Sequence, residues 1–474
     1  MFSLVHLMTY KMQRKLFHIS TRLLLLIGLF GVNIPISAQN KIDVFFPERA
    51  DSISILARHF DGKLLVADTL EFDSKGKVSI TKPLSPGLYA LIHPKRKQYD
   101  FLIGNDQNMK LSIKNRQLNI ENSEEGKAFQ YYLMFLRKQQ VEKGKLIRSL
   151  KQQKGVNKQS VHGQIDSLDH SIRQLWDELE SKHPNSMLST FIDLSRELKI
   201  PKSNKSISDS LKWINNYHYM TQNFWSHINL KDERILNTPL LKNKLDIFFN
   251  KVIIQVPDTM TKEAFRLLDA CGSKTFPYIS NYLMNNALNT KFMGMEAAFV
   301  AIAEKYFIGQ KTWADSATMY KIKQQVALNK PNLLGNKAPN LKLKTPENEF
   351  RSLYDVNASF TILLFWETSC GHCKTEIPKL LKLWNTQKEK GIKIFAVYTQ
   401  DKKKVWTDYI FDKKIFEWIN VYDEDRLSPF RQLYNIYSTP TIYLLDKNKK
   451  IIAKRMSVDN LEKILEREFK QLKR

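Results

Sequence analysis

The stretch FWETSCGHCKTEIP, residues 365–378, decides how this chain is read. It closes the run FTILLFW (360–366) and sets Cys370 and Cys373 on either side of Gly371-His372. A short apolar run of this kind describes a strand buried on both faces. Helical spacing begins at the cysteines, so Cys370 falls at a helix N-terminus. There, unpaired amides and the helix dipole favour negative charge, and a thiolate is stabilised. Cys373 follows one turn later on the same side. That separation suits a nucleophile and a resolving thiol: Cys370 attacks a target disulfide, and Cys373 releases the mixed disulfide by forming a reversible Cys370–Cys373 bond. His372 can add positive charge near the thiolate and, with Gly371, tune the potential. Zinc and a purely structural disulfide are the competing readings. A structural zinc site needs a second such pair or His/Cys ligands at fixed spacing, and the third cysteine, Cys271, stands alone far upstream.

Beyond the helix, the pattern alternates. IKIFAVY (392–398) reads as a strand, 401–413 as a helix, and TIYLLD (441–446), KNKK (447–450) and IIAKR (451–455) as a hairpin, with an amphipathic helix over about 458–472. This β-α-β-α-β-β-α order predicts a three-layer α/β domain. Upstream, PNLLGNKAPNLKLKTPENEF (331–350) carries three prolines and marks a join.

From about 123 to 330 apolar residues recur at three- and four-residue spacing, as in AFQYYLMFLRKQQVEKGKLIRSLKQQ and QIDSLDHSIRQLWDELES. Pro184, Pro201, Pro239, Pro257 and Pro277 stand at helix boundaries. The Met- and aromatic-rich block KFMGMEAAFVAIAEKYF (291–307) reads as helical core, and Cys271 as a small buried hydrophobe. Residues 41 to about 120 carry seven short β-rich runs separated by turn signals at Asp61-Gly62, Ser74-Lys75-Gly76 and Pro83 to Gly87, which predicts a small β-sandwich. His59 and His93 are lone histidines without catalytic neighbours.

The first residues describe an export signal. Lys11, Arg14, Lys15 and Arg22 precede LLLLIGLFGVNIPI, and Ser37-Ala38-Gln39 offers a cleavage site after Ala38. The apolar run from Leu23 to Ile36 contains Pro35 and is shorter than the ~20 residues a spanning helix needs; a retained anchor is the competing reading. The formal charge of +26 on 474 residues invites a nucleic-acid partner. However, the lysines are spread along the chain, as in KRKQ (95–98), DKKK (401–404) and KNKK (447–450). Solvated faces are therefore expected, with no nucleic acid and at most peripheral membrane contact.

Residues 335–474 resemble the TlpA/ResA-type thioredoxin-like thiol–disulfide oxidoreductases, related to the AhpC/TSA fold. The resemblance rests on the apolar strand with FW before the motif, CGHCK, Glu376, Pro378, and STPT (438–441) ahead of the hairpin strand. It implies a cis peptide at Thr439–Pro440 beside the cysteines, where client backbone docks, with Trp366 on the same substrate side. It also implies that Glu376 is an active-site acid handling protons and that Pro378 kinks the helix. FWSHINLKDERILNTPLLKNKLDIFFNKVI (224–253) and FMGMEAAFVAIAEKYF are similar to the middle region of an exported multidomain group within this family. Three positions depart from common thioredoxin patterns: Ser369 before the first cysteine, Leu364 where some relatives carry a buried acid, and His372 where many have Pro. These put the redox potential and the direction of electron flow in question.

The expected protein is thus multidomain. It comprises a signal peptide (1–38), a small β-sandwich (39–120), an all-α region (121–330) and a C-terminal α/β thioredoxin-like domain (331–474). Its expected function is periplasmic or envelope thiol–disulfide exchange with protein dithiols and disulfides, using an unidentified electron donor or acceptor, no cofactor and no metal. One alternative is a thioredoxin-dependent peroxidase, although Glu367 and Leu363 occupy the positions where peroxiredoxins place Thr/Ser and Pro, and Thr368 is one place off. Another is an envelope protein that chiefly binds a partner and carries a redox-sensing domain.

Overall fold

The computed structural model describes residues 40–93, 97–152, 157–201, 207–310 and 312–472. The expected signal segment, 1–38, lies outside the described residues. The described residues open with eight strands: β1 (Lys41–Phe45), β2 (Ile53–Phe60), β3 (Lys63–Glu71), β4 (Lys77–Ile80), β5 (Gly87–His93), β6 (Lys97–Ile103), β7 (Asn108–Lys114) and β8 (Gln117–Glu121). They form two four-stranded sheets, ordered β4-β1-β7-β8 and β3-β2-β5-β6. β8 is absent from the seven runs read in the sequence. It forms because Asn115 and Arg116 both adopt positive φ, 51° and 64°. This two-residue turn matches strand twist and pairs Lys114 with Gln117.

The sheet β4-β1-β7-β8 belongs to a compact unit of its own, made of residues 40–52 with 71–84 and 106–124. Its core includes Ile42, Val44, Ile80, Met109 and Leu111. The second unit comprises 53–70, 85–105 and everything from Glu125 onward. The compact units do not part at residue 120: β2, β3, β5 and β6 group with the helices. The reason is apolar. Leu88 of β5 and Leu102 of β6 share one buried cluster with Phe129, Leu175, Leu188 and Phe191. Asn237 also donates to the Pro86 carbonyl at 2.9 Å. Gly87 is required there, since a Cβ would meet Asn237 Cβ at 2.6 Å.

The helices are α1 (Glu124–Gln152), α2 (Lys158–Lys182), α3 (Met187–Ser195), α4 (Asp209–Asn223), α5 (Leu240–Ile247), α6 (Pro257–Asp269), α7 (Thr275–Asn289), α8 (Glu296–Tyr306) and α9 (Ser316–Asn329). Their ends follow local chemistry. Ser186 caps α3 by accepting from Ser189 N–H, Asp315 caps α9 by accepting from Thr318 N–H, and Pro257 opens α6. The 291–307 stripe puts Met295, Phe299, Ile302 and Phe307 into a core shared with Phe248, Met260 and Leu283. Cys271, beyond the end of α6, is partly rather than fully buried at the margin of that core.

The last third contains β9 (Lys342–Lys344), β10 (Phe350–Ser352), β11 (Phe360–Trp366), α10 (Gly371–Gln387), β12 (Ile392–Tyr398), α11 (Lys403–Asp412), β13 (Ile419–Tyr422), α12 (Phe430–Leu433), β14 (Thr441–Asp446), β15 (Ile451–Lys454) and α13 (Val458–Leu472). Its seven-stranded sheet runs β10-β9-β13-β12-β11-β14-β15. β11 lies between parallel β12 and antiparallel β14, and every residue of it is buried. Alternate side chains serve opposite faces. Phe360, Ile362, Leu364 and Trp366 pack with α10, α11 and α13, while Leu363 and Phe365 pack with Leu341, Phe430 and Tyr434. Each such burial stabilises by roughly 1.5–3 kcal/mol. Short β9, β10 and β13 are missing from the sequence reading. In β13 the apolar pattern is broken by Asn420, a buried residue whose amide donates to the Ile415 and Trp418 carbonyls.

Because β11, β12 and β13 are parallel and in register, Trp366, Tyr398 and Tyr422 end level with one another. The three loops that follow them therefore share one edge of the sheet, the edge where open α/β sheets build their sites.

Candidate active site

Cys370 is the N-cap of α10. Its φ/ψ of −74°/121° is extended, and its Sγ accepts from the Cys373 N–H at 3.4 Å. The same Sγ donates to the Thr439 carbonyl at 3.0 Å. Cys370 is partly exposed, Cys373 is fully buried, and both stand as free thiols. Burial by itself raises the Cys370 pKa. Hydrogen bonds from the Thr439 hydroxyl and from the amides of Cys373 and His372 outweigh it, leaving Cys370 below the usual thiol value. The S–H contact to the Thr439 carbonyl favours the thiol, so the lowering rests on the hydroxyl and the helix-end amides. Cys373 behaves oppositely: burial pushes it up to about 12, with the Cys370 sulfur adding to the rise. One thiol is thus accessible and acidified, and its partner is sheltered and protonated. This is the asymmetry a two-step exchange requires.

Gly371 and His372 are exposed in the first turn of α10. The Thr439–Pro440 peptide is cis, and the loop carrying it lies against Cys370. Trp366, expected on the substrate side, is instead completely buried. As the last residue of β11 it points into the helical layer, with its ring 5.5 Å from Tyr398 and 5.1 Å from Tyr409. It is a floor beneath the site, not a surface for clients. Glu376 lies one turn past Cys373. Its carboxylate accepts the Val458 N–H at 2.8 Å and pairs with Lys379 at 3.1 Å. Both partners belong to the α10–α13 contact, not to the thiol pair. Pro378 lies inside α10 without ending it.

Sequence reasoning missed Gln400. Its Nε2 donates to Glu367 Oε2 at 2.9 Å and to Ser369 Oγ at 3.1 Å, while its Oε1 accepts from Tyr398 OH at 3.2 Å. It therefore ties the loop ahead of Cys370 to the loop after β12. The available signal was its place just past a strand parallel to β11. A polar cleft of about 710 Å³ opens beside it, lined by Thr399, Asp401, Arg426 and Arg431 among others. Leu363 is buried in β11, and Thr368 shares a hydrogen bond with Tyr398 OH at 3.4 Å. Cys271 is remote in sequence and donates to the Leu267 carbonyl at 3.2 Å; burial pushes it up to about 12. Among the described residues, no cluster of three or more His, Cys, Asp or Glu is placed to hold a metal.

The AhpC/TSA family model matches residues 334–454. The thiol-disulfide oxidoreductase ResA of Oceanobacillus iheyensis is 30% identical over 143 residues, which is 28% of this chain and 72% of that protein. A domain of a "possible thiol-disulfide isomerase" from Cytophaga hutchinsonii is 46% identical, covering 31% of this chain and 99% of that domain, with a TM-score of 0.29. The thioredoxin domain of a thiol-disulfide oxidoreductase from Bacteroides vulgatus is 30% identical, covering 29% of this chain and 97% of that domain, with a TM-score of 0.27.

Proposed function

The chain belongs to the ResA-type thiol–disulfide oxidoreductases of the AhpC/TSA family, and from that premise we propose that it exchanges disulfides with proteins of the cell envelope through Cys370 and Cys373. The observation that carries this reading is the unequal thiol pair at the start of α10.

In the reducing direction, the Cys370 thiolate attacks one sulfur of a client disulfide. A Cys370–client bond forms, and the other client sulfur leaves as a thiolate that takes a proton from solvent. Cys373 then loses its proton and attacks Cys370 Sγ, so that the second client sulfur departs. Two electrons have passed to the client, and Cys370–Cys373 is left as a disulfide that a second dithiol must reduce. Reversing each step oxidises a client dithiol. The Thr439 carbonyl, 3.0 Å from Cys370 Sγ, lies where an extended client segment can hydrogen-bond beside the reacting sulfur. No dissociable cofactor enters this balance.

Placement in the envelope is supported by the basic and apolar pattern of residues 1–38. Among the described residues, no helix is long and apolar enough to cross a membrane. The test is trapping. Cys373→Ser should accumulate a mixed disulfide with a disulfide-bonded substrate such as insulin, whereas Cys370→Ser should trap nothing. Equal trapping by both variants would refute the assignment of roles.

A further inference from the structure

The chain leaving the helical region grips the loop that faces Cys370. Asn332, in the short helical turn Lys330–Asn332 directly after α9, is completely buried. Its Nδ2 donates to the Leu328 carbonyl at 2.7 Å and to the Leu433 carbonyl at 3.0 Å. Its Oδ1 accepts from Lys454 Nζ at 2.8 Å and from Tyr443 OH at 3.4 Å. Both amide donors and both acceptor sites are therefore filled, which fixes the side chain in one orientation.

Lys454, at the end of β15, is just as enclosed. Its ammonium also donates to the Asn332 carbonyl at 2.6 Å and forms a close ion contact with Glu296, at the start of α8. The Lys454 N–H meets Met293 Sδ at 3.3 Å.

These contacts converge on residues 433–437. Asn435 Nδ2 donates to Asn329 Oδ1 at 3.2 Å, and the Asn435 carbonyl accepts from Arg455 Nη2 at 3.2 Å. The Arg455 guanidinium lies 5.1 Å from the Tyr437 ring. Two residues beyond Tyr437, the Thr439 carbonyl accepts from Cys370. An unbroken set of hydrogen bonds thus runs from the helical region to the base of the loop facing the nucleophile.

On the premise that the pair exchanges disulfides as above, we propose that Asn332 is a positioning residue for that reaction. Through Leu433, Tyr443 and Lys454 it holds the 435–440 loop against Cys370, so the helical region sets the reactivity of the thiol pair. The helices then act on the chemistry itself, in addition to any partner they bind.

The test uses the full chain and the Asn332→Asp variant. Aspartate keeps the oxygens that accept from Lys454 and Tyr443 but loses the donor to Leu433. The readout is the pH profile of Cys370 alkylation by iodoacetamide, mapped by mass spectrometry, with circular dichroism to establish folding. In a folded variant the midpoint should rise by about half a pH unit, and the rate at pH 7 should fall about twofold once the gain in intrinsic nucleophilicity is counted. A wild-type profile in a folded Asn332→Asp protein would overturn the proposal, because a merely structural residue changes stability and leaves that midpoint in place. Should Asn332→Asp fail to fold, Asn435→Gly decides by the same criteria. Glycine accepts the φ of 47° at this position while removing the bond to Asn329. Failure of wild-type Cys370 and Cys373 to form a disulfide in glutathione buffers is a separate result, and it would remove the premise as well.

Discussion

The sharpest consequence of the site is selective chemistry among three thiols. Cys373 and Cys271 are pushed up to about 12 by burial, while Cys370 lies below the ordinary value of 9.0. Near pH 8, a separation of at least three units gives Cys370 roughly a thousandfold larger thiolate fraction. A more basic thiolate is intrinsically more nucleophilic, with a Brønsted slope near 0.4–0.5, which returns a factor of about 20 to Cys373 and Cys271. The net preference for Cys370 is then on the order of 50-fold, before the enclosure of Cys373 reduces its rate further. The assay is brief labelling of the reduced, folded protein with iodoacetamide between pH 6 and 9, followed by peptide mapping. Labelling should fall on Cys370 alone, and its rate should rise with pH about a midpoint below 9.0. Because the thiolate is the reactive form, a lowered pKa moves that midpoint to lower pH. Comparable labelling of Cys373 in the native protein would refute the reasoning, as would a Cys370 midpoint at or above 9.

Other perturbations test the surrounding structure. Lys454→Met leaves the Glu296 carboxylate, about one-eighth exposed, without its cation, and should destabilise the protein by about 3–5 kcal/mol in urea titration. Adding Glu296→Gln should recover much of that loss. Glu376→Gln should weaken the start of α13 by about 1 kcal/mol and leave Cys370 alkylation unchanged. Slower release of the mixed disulfide at unchanged stability would instead assign Glu376 to proton handling. Asp193 is raised to about 6, first by burial and then by Glu180, despite the attraction of Arg196. Its folded pKa exceeds the unfolded value of 3.8, so the native state binds the extra proton and stability is lost as pH rises from about 4 to 6. Asp193→Asn should therefore stabilise the protein at pH 7. The gain should be on the order of 1 kcal/mol, since about a third of the side chain is exposed and water screens the effect.

The thioredoxin-like third was legible because its signals are local. A fully apolar β11, a cysteine at a helix start and an amphipathic α13 all announce themselves over a few residues. β13 did not, because four residues interrupted by Asn420 carry no period, and their identity as a strand comes from pairing with β12. β8 depends on two positive φ values at Asn115-Arg116, a pair without the usual glycine. Trp366 was misplaced for a related reason. Sequence proximity to the cysteines does not tell which face of the sheet a strand residue takes, and alternation from Phe360 sends Trp366 into the helical layer. Gln400 offered only its place just past a strand parallel to β11, and Asn332 offered nothing. Each matters through partners far along the chain: Gln400 reaches Glu367 and Ser369, and Asn332 reaches Leu433, Tyr443 and Lys454. The grouping of β2, β3, β5 and β6 with the helices likewise rests on long-range contacts such as Asn237 with Pro86.

The most direct test of thiol–disulfide exchange is an equilibrium redox titration of the protein in glutathione buffers, with mass tagging of free thiols at each potential. The account predicts one two-electron transition that joins Cys370 to Cys373 and leaves Cys271 free. Its midpoint should fall between about −270 mV, where the pair would serve as a reductant, and about −120 mV, where it would serve as an oxidant. A pair that forms no bond at any potential would contradict the account.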